Sequence, residues 1–201
     1  MKDLLSLYEE TSLSTDTICV ILGSLLGNMK ICIDNISGKA FIKFKHYYKN
    51  LEYFLWKKNL LKELDTSLLI MKNDKFCCYV SKPDLRLNNI VNIVRRKNRK
   101  VTRKWLNLLN NLALSVWWCD SGSLLSNSKR VILRTDNYSQ SDIHIICKYF
   151  NNVLKLDTKE YITGKNKIRI SISPVNKFLK FIDCSIPHNI INSISLDNVI
   201  T

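Results

Sequence analysis

The feature that most constrains the fold is a pattern that occurs twice along the chain. A strongly apolar segment of helical length, TICVILGSLLGN beginning at Thr17 and NLLNNLALSVWWCDSG beginning at Asn107, opens each copy. Each is followed by strand-like segments, an amphipathic helix and a hairpin. An internal duplication of about 90 residues is the simplest explanation, and the order of elements predicts an α+β fold.

In the first copy, Ser14, Thr15 or Asp16 is expected to cap the apolar helix. Residues 30–34 alternate Lys30, Cys32 and Asp34 with isoleucines, and residues 39–45 alternate lysines with apolar side chains. This pattern predicts a hairpin with one apolar and one basic face, turned at Ser37 and Gly38. The remaining predicted elements are a helix from Tyr47 to Leu61, with Leu51, Phe54, Leu55 and Lys58 at helical spacing, and a hairpin turned at Asn73 and Asp74.

In the second copy, KRVILRT predicts a strand, and the following helix has Ser139 or Ser141 as its cap. A hairpin around Gly164 and a helix opened by Pro174 complete it. We therefore expect three regions: a first half at residues 1–80, a polar and basic connector at 81–104, and a second half at 105–201.

The charge of the chain indicates its partner. Lys and Arg number 31 against 17 Asp and Glu, which gives a formal net charge of +14. Such an excess predicts a polyanionic partner, with nucleic acid favoured over a membrane surface. No apolar run reaches the roughly 18 residues that a membrane-spanning helix needs, so we expect no membrane partner.

Metal and cofactor signatures are missing from the sequence. The seven cysteines include no CxxC pair, and His46, His144 and His188 are isolated from other ligand types. No GxxxxGK[ST] or GxGxxG segment is present. The sequence therefore predicts no cofactor, and three of its four tryptophans, Trp105, Trp117 and Trp118, are expected to lie in the core.

ICVILGSLLGNM at residues 18–29 and LALSVWWCDSG at 112–122 resemble the paired signature helices of LAGLIDADG homing endonucleases and intron maturases. KRVILRTDNYSQSDIHIICKYF and NKIRISISPVNKFLKFI are similar to the second-half pattern of that family. The resemblance implies two pseudo-symmetric αββαββα repeats that form a saddle of two antiparallel sheets, with the signature helices packed at the centre. Close packing there requires small residues. We expect these small residues to be Gly23 and Gly27 in the first helix and Ala113, Ser115 and Cys119 in the second.

The resemblance also implies an acidic metal ligand at the foot of each signature helix, but this chain has Asn28 and Ser121 at the matching positions. Asp120 is a remnant ligand, a residue of the C-terminal turn or the partner of a nearby base. An active enzyme would need Asp120 with a further acid such as Asp34 or Asp16, and Mg²⁺. The sequence therefore predicts no catalytic residue, no metal and no enzymatic activity.

Basic residues on alternating strand positions and in the connector are the candidate nucleic-acid contacts. The alternatives are an ordinary solvated sheet face and a solvated linker. Trp105 could stack on a base, although a core position is favoured. The candidate residues are Lys30, Lys39, Lys43, Lys45, Arg95, Arg96, Lys97, Arg99, Lys100, Arg103, Lys104, Arg130, Arg134, Lys167 and Arg169.

These expectations combine into one functional prediction and two alternatives. The prediction is an inactive LAGLIDADG-like protein that binds structured RNA in a mitochondrion, as a component of the mitochondrial ribosome or as an intron-splicing maturase. Ribosomal RNA and neighbouring ribosomal proteins are the expected partners, with RNA preferred over DNA. The alternatives are an active site-specific DNA endonuclease with displaced ligands and a DNA-binding regulator.

Overall fold

A computed structural model describes residues 4–72, 75–94, 101–124, 130–163, 168–182, 186–187 and 190 of the chain. Its helices are α1 (Leu4–Thr11), α2 (Thr15–Leu26), α3 (Leu51–Leu60), α4 (Leu87–Val94), α5 (Arg103–Leu106), α6 (Asn111–Ser121), α7 (Gln140–Asn152) and α8 (Val175–Ile182). Its strands are β1 (Lys30–Ile33), β2 (Ala40–Tyr47), β3 (Thr66–Lys72), β4 (Phe76–Ser81), β5 (Gly122–Leu124), β6 (Val131–Arg134), β7 (Asp157–Ile162) and β8 (Ile168–Ser173).

The two halves have the same sheet topology. The first sheet has the strand order β1-β2-β4-β3 and the second has β5-β6-β8-β7, and every pairing is antiparallel. Each order follows from the same sequence of helix, strand pair, helix and strand pair. The predicted duplication and the α+β fold with two antiparallel sheets are confirmed.

The two signature helices, α2 and α6, pack against each other at the centre. Their backbones approach closely because small residues lie at the contact. A Cβ atom added to Gly23 would lie 2.1 Å from the carbonyl oxygen of Ala113, and one added to Gly27 would lie 2.4 Å from Cβ of Asp120. Ser115 has a different role from the one predicted, because its hydroxyl donates to the backbone of α6 and lies 3.1 Å from the Ile182 carbonyl oxygen of α8.

Local signals in the sequence place several element ends. The Ser14 hydroxyl caps α2 by accepting a hydrogen bond from the Thr17 amide. Ser139 and Asp142 form a reciprocal capping box at α7. Gly38 has φ of +67° in the turn before β2, a conformation that favours glycine. The turns predicted at 73–74 and at Gly164 lie outside the described residues.

The helix predicted from Tyr47 to Leu61 begins later in the structure. Tyr47 is the last residue of β2, a short 3₁₀ turn covers Tyr48–Asn50, and α3 begins at Leu51. The alternation of buried and exposed residues along β2 continues through Tyr47, so the strand pattern outweighs the helical one there.

The segment expected to be a polar connector contains a packed helix. Helix α4 buries Leu87, Ile90, Ile93 and Val94 and closes the first half, as α8 closes the second. The charge of the segment lies mainly at 95–100, outside the described residues, so the apolar spacing just before it was overlooked. No helix in the described ranges is long and apolar enough to cross a membrane.

Candidate nucleic-acid interface and the polar centre beneath it

The outward face of the first sheet carries a row of exposed lysines. Along β2, Lys43, Lys45 and Tyr47 are exposed, whereas the alternate residues are buried against the helices. Lys30 of β1 lies directly opposite Lys43 in the strand register and is also exposed. The sheet therefore brings three of the predicted contact lysines onto one face.

These lysines are not neutralised within the described part of the chain. None of Lys30, Lys43 and Lys45 forms an ion pair there. The Lys45 ammonium lies 5.0 Å from the centre of the Phe76 ring, a cation–π contact that leaves its charge intact. Lys39 is exposed in the turn just before β2.

The second sheet holds its arginines differently. The Arg130 guanidinium donates to Asp157 Oδ2 at 3.2 Å and to Ser173 Oγ at 2.9 Å. Arg169 lies 3.5 Å from Asp136 Oδ1. Arg134 is exposed and donates to the Ser121 carbonyl oxygen at 3.3 Å. Two of the three predicted arginines of this sheet are therefore paired with carboxylates.

Of the basic residues predicted in the connector, the structure describes Arg103 and Lys104, and it places neither of them on the outward face of a sheet. Arg103 lies over the ring of Tyr149 on α7, 4.9 Å from the ring centre, and Lys104 is exposed. Trp105 is buried, as predicted for a core residue. The other predicted contacts lie outside the described residues: Arg95, Arg96, Lys97, Arg99, Lys100 and Lys167.

A buried ion pair lies beneath the interface, at the foot of the signature helices. Lys57 Nζ of α3 is 2.9 Å and 2.8 Å from the two carboxylate oxygens of Asp120, and neither side chain is exposed to solvent. The Tyr53 hydroxyl donates to the same carboxylate at 2.9 Å. Asp120 is thus the partner of a nearby base, one of the roles considered for it.

His46 and Asn28 extend this polar centre towards the first sheet. The Asn28 amide N–H donates to Asp120 Oδ2 at 3.3 Å, and its side-chain Nδ2 donates to the Lys45 carbonyl oxygen at 3.0 Å. His46 Nε2 is 3.5 Å from Asp120 Oδ1. Burial, reinforced by the Lys57 charge, lowers the pKa of His46 to about 4, so the imidazole is neutral at physiological pH.

The pKa values of Lys57 and Tyr53 are shifted by the same surroundings. Burial lowers the pKa of Lys57, and the Asp120 carboxylate opposes that change. Burial and the Asp120 charge raise the pKa of the Tyr53 hydroxyl well above its usual value. Tyr53 therefore stays protonated and serves as a hydrogen-bond donor to Asp120.

The residues at the foot of the signature helices do not fit a divalent cation. Asn28 Oδ1 is buried without a partner in the described part of the chain, but it is a single neutral oxygen. The Ser121 hydroxyl donates to the Trp117 carbonyl oxygen at 2.9 Å, and Lys57 occupies the Asp120 carboxylate. Among the described residues, no group of three or more His, Cys, Asp or Glu side chains could hold a metal ion. We therefore derive no step through a metal.

The further acids that an active enzyme was expected to recruit lie elsewhere. Asp16 is in the first turn of α2, at the opposite end of that helix from Asn28. Asp34 accepts hydrogen bonds from the Ser37 amide and hydroxyl in the turn before β2, and these bonds lower its pKa. Neither carboxylate converges on Asp120.

A cavity of about 430 Å³ opens where the two helix feet meet the sheets. Its lining includes Asn28, Asp120 and Ser121 from the helices together with Lys30 and Arg134 from the strands. The cavity thus connects the polar centre with the basic outward face, and its lining carries both the cations Lys30 and Arg134 and the carboxylate of Asp136.

Sequence reasoning overlooked Lys57 and Tyr53, and it treated His46 as isolated, whereas the structure places its imidazole 3.5 Å from Asp120. The helical spacing drawn through Leu55 and Lys58 selected the wrong face of α3, because Leu55 is exposed while Tyr53, Phe54 and Lys57 are buried. One signal was available: Lys57 follows Phe54 by three residues and Tyr53 by four, so it shares their face of the helix. A lysine at such a position needs a buried anion as partner.

Comparisons with known proteins agree with this architecture. The model of the LAGLIDADG DNA endonuclease family matches residues 18–178. The structure resembles the homing endonuclease I-WcaI bound to its DNA recognition sequence, with a TM-score of 0.77, 14% identity, and coverage of 90% of this chain and 87% of that one. It also resembles I-DmoI in complex with DNA and Mn, with a TM-score of 0.55, 12% identity, and coverage of 86% and 98%.

Similar curated sequences are longer proteins. This chain is 31% identical to the protein RecA of Mycolicibacterium fallax over 137 residues, covering 65% of the chain and 32% of that protein. It is 26% identical to the protein RecA of Mycolicibacterium flavescens over 175 residues, covering 84% of the chain and 40% of that protein. The chain therefore spans less than half the length of these relatives.

The prediction that the chain is not an enzyme is wrong. It depended on the neutral residues Asn28 and Ser121, whereas the family model that matches most of the chain describes DNA endonucleases. The two similar structures described above are homing endonucleases with DNA, and the I-DmoI complex also has manganese. From the family match and the shared fold, the chain belongs to the LAGLIDADG DNA endonuclease family.

Proposed function

We propose that the chain binds a nucleic-acid duplex along the outward faces of its two sheets. The observation that supports this most strongly is the row of exposed lysines on the first sheet, Lys30, Lys43 and Lys45, none of which has an ion-pair partner in the described residues. Like charges on one sheet face repel each other, and a phosphate backbone relieves that repulsion.

The chemistry common to the candidate ligands is the phosphate backbone of a duplex. Duplex DNA is the first candidate, because I-WcaI and I-DmoI have this fold and their structures contain DNA. The resident lysines would contact phosphates from the strands, while the cavity at the helix feet lies below the centre of the bound duplex.

Structured RNA is the second candidate, and an aromatic pair on the same face, the exposed Tyr47 with the half-buried Phe76, favours it. Aromatic side chains beside cations are typical of surfaces that contact unpaired RNA bases. If RNA is the ligand, we propose a mitochondrial location and a role in the mitochondrial ribosome or in intron splicing. Crosslinking in the native organism, followed by sequencing of the attached RNA or DNA, separates the two candidates.

The phosphate-binding role is tested by titrating a labelled DNA duplex and an RNA duplex of the same sequence over about 50 to 200 mM salt. Lys43→Gln with Lys45→Gln should weaken binding and reduce the slope of log affinity against log salt by roughly 0.9 per lysine on DNA. The matched control, Lys58→Gln with Lys62→Gln, removes the same charge from α3 and the turn after it.

The control variant should bind with the affinity and salt slope of the unmodified protein. If the double substitution on β2 leaves both quantities unchanged, the sheet face is not the binding surface. If affinity for both duplexes is unaffected by salt, phosphate contacts do not drive binding and the proposed function fails.

A further inference from the structure

The outward face of the first sheet ends in a pair of aromatic side chains. Tyr47 of β2 lies opposite Phe76 of β4 in the register, and their ring centres are 4.7 Å apart with the planes tilted by 35°. Tyr47 keeps 58% of its surface exposed. The pair lies on the solvent side, whereas Phe44 and Tyr79 stack on the buried side of the same two strands.

We propose that Tyr47 and Phe76 form a platform on which an unpaired base of the bound nucleic acid stacks. This inference rests on the proposed function, because the same sheet face must first hold the phosphate backbone. It defines the ligand more narrowly, as a duplex that contains a bulged, looped or terminal nucleotide.

The cations beside the platform favour a nucleotide over other flat ligands. Lys45 is the next outward residue on β2, about 7 Å along the strand from Tyr47, and its ammonium lies over the Phe76 ring. Lys43 follows at the same spacing. A base on the aromatic rings would thus have its own phosphate within reach of Lys45 and the next phosphate near Lys43.

The geometry selects an unpaired base because of the shape of a duplex. Within a helix, both faces of each base pair are covered by neighbouring pairs, so no ring is free to stack on the protein. A bulged or terminal base has an open face, and every base type can use it, so the platform recognises the unpaired state and not the sequence.

The platform is tested with two probes that have the same sequence, one fully paired and one with a single unpaired adenine. The unmodified protein should bind the bulged probe about tenfold more tightly, within the range of one base stacked on an aromatic residue. Tyr47→Leu should bring this ratio close to one while affinity for the paired probe changes less than about twofold. Tyr47→Phe should keep the ratio.

Tyr8→Leu is the matched control, because Tyr8 is an exposed tyrosine on α1 and its removal should leave the ratio unchanged. Phe76→Leu provides a second test of the platform from the neighbouring strand. Equal affinity of the unmodified protein for the two probes, or a ratio that Tyr47→Leu does not alter, overturns the platform. Salt-insensitive binding of both probes overturns the proposed function instead, so the two failures are distinguishable.

Discussion

The two halves of the molecule have the same sheet topology but hold their charges in different ways. In the first sheet, Lys43 and Lys45 are exposed and have no ion-pair partner among the described residues. In the second, Arg130 and Arg169 face the carboxylates of Asp157 and Asp136. A duplicated fold therefore does not imply duplicated binding, because a charge that is already paired releases fewer counterions from a ligand.

The two signature helices at the centre also differ, because only one of them carries an acidic side chain at its foot. If Asn28 and Ser121 are matching positions, then Gly27 matches Asp120, and these two residues face each other across the helix pair. The absence of a side chain at Gly27 leaves room for the Asp120 carboxylate, which Lys57 then neutralises. One ion pair thus joins α3 of the first half to α6 of the second.

The largest expected effect on stability comes from removing one partner of the Lys57–Asp120 ion pair. Lys57→Met should lower the free energy of unfolding by about 3–5 kcal/mol, because it leaves the Asp120 carboxylate buried without a cation. Urea denaturation measures the change, with Lys58→Met on the same helix as the control. Combining Lys57→Met with Asp120→Leu should recover much of the loss, since no charge then remains buried. A double variant no more stable than the single one would contradict this role.

The second prediction concerns the buried His46, with the exposed His144 as the site of the control substitution. Because burial holds the pKa of folded His46 near 4, below the ordinary 6.5, the unfolded chain gains a proton first as the pH falls. The stabilising contribution of neutral His46 is therefore complete above about pH 6.5. The free energy of unfolding should fall by about 3 kcal/mol as the pH decreases from there to about 4.

His46→Gln should flatten this pH dependence, and His144→Gln, the same substitution at an exposed histidine, is the control. The measurement is the denaturation midpoint at a series of pH values for the three proteins. The same pH slope in the His46→Gln variant as in the unmodified protein would show that another group is responsible.

The smallest expected effect sharpens the comparison between the two sheets directly. Arg130→Gln with Arg169→Gln should reduce the slope of log affinity against log salt only slightly. The expected reduction is well below the roughly 0.9 per residue expected on DNA for lysines without an ion-pair partner. The reason is that Asp157 and Asp136 already compensate these guanidinium groups. Filter binding over a salt series measures it, and a loss equal to that of the Lys43 and Lys45 double variant would refute the asymmetry.

Much of the fold was accessible from local patterns. The apolar helix segments, the strand alternation around Gly38 and the cap at Ser139 are properties of short stretches, and each predicted its element correctly. The face of α3 was misjudged because two helical spacings fitted its sequence, and only packing against α6 decides which of them is buried.

The candidate site was accessible only in part. The alternation along β2 identified Lys43 and Lys45 as outward residues, but nothing in the sequence distinguishes a free arginine from one that faces Asp157. Arg130 and Asp157 are separated by 27 residues, so their pairing depends on the order of the strands in the sheet.

The sequence by itself determined the repeat, the strand and helix periodicities, the small residues between the signature helices and the positive charge. These depend on side-chain chemistry over a few residues or on composition. The tertiary structure alone decided that Lys57 neutralises Asp120, that His46 is buried beside them, and that Arg130 and Arg169 are paired with carboxylates while Lys43 and Lys45 have no ion-pair partner among the described residues. The physical reason is that burial and charge pairing depend on neighbours distant in sequence, which only the folded chain brings into contact.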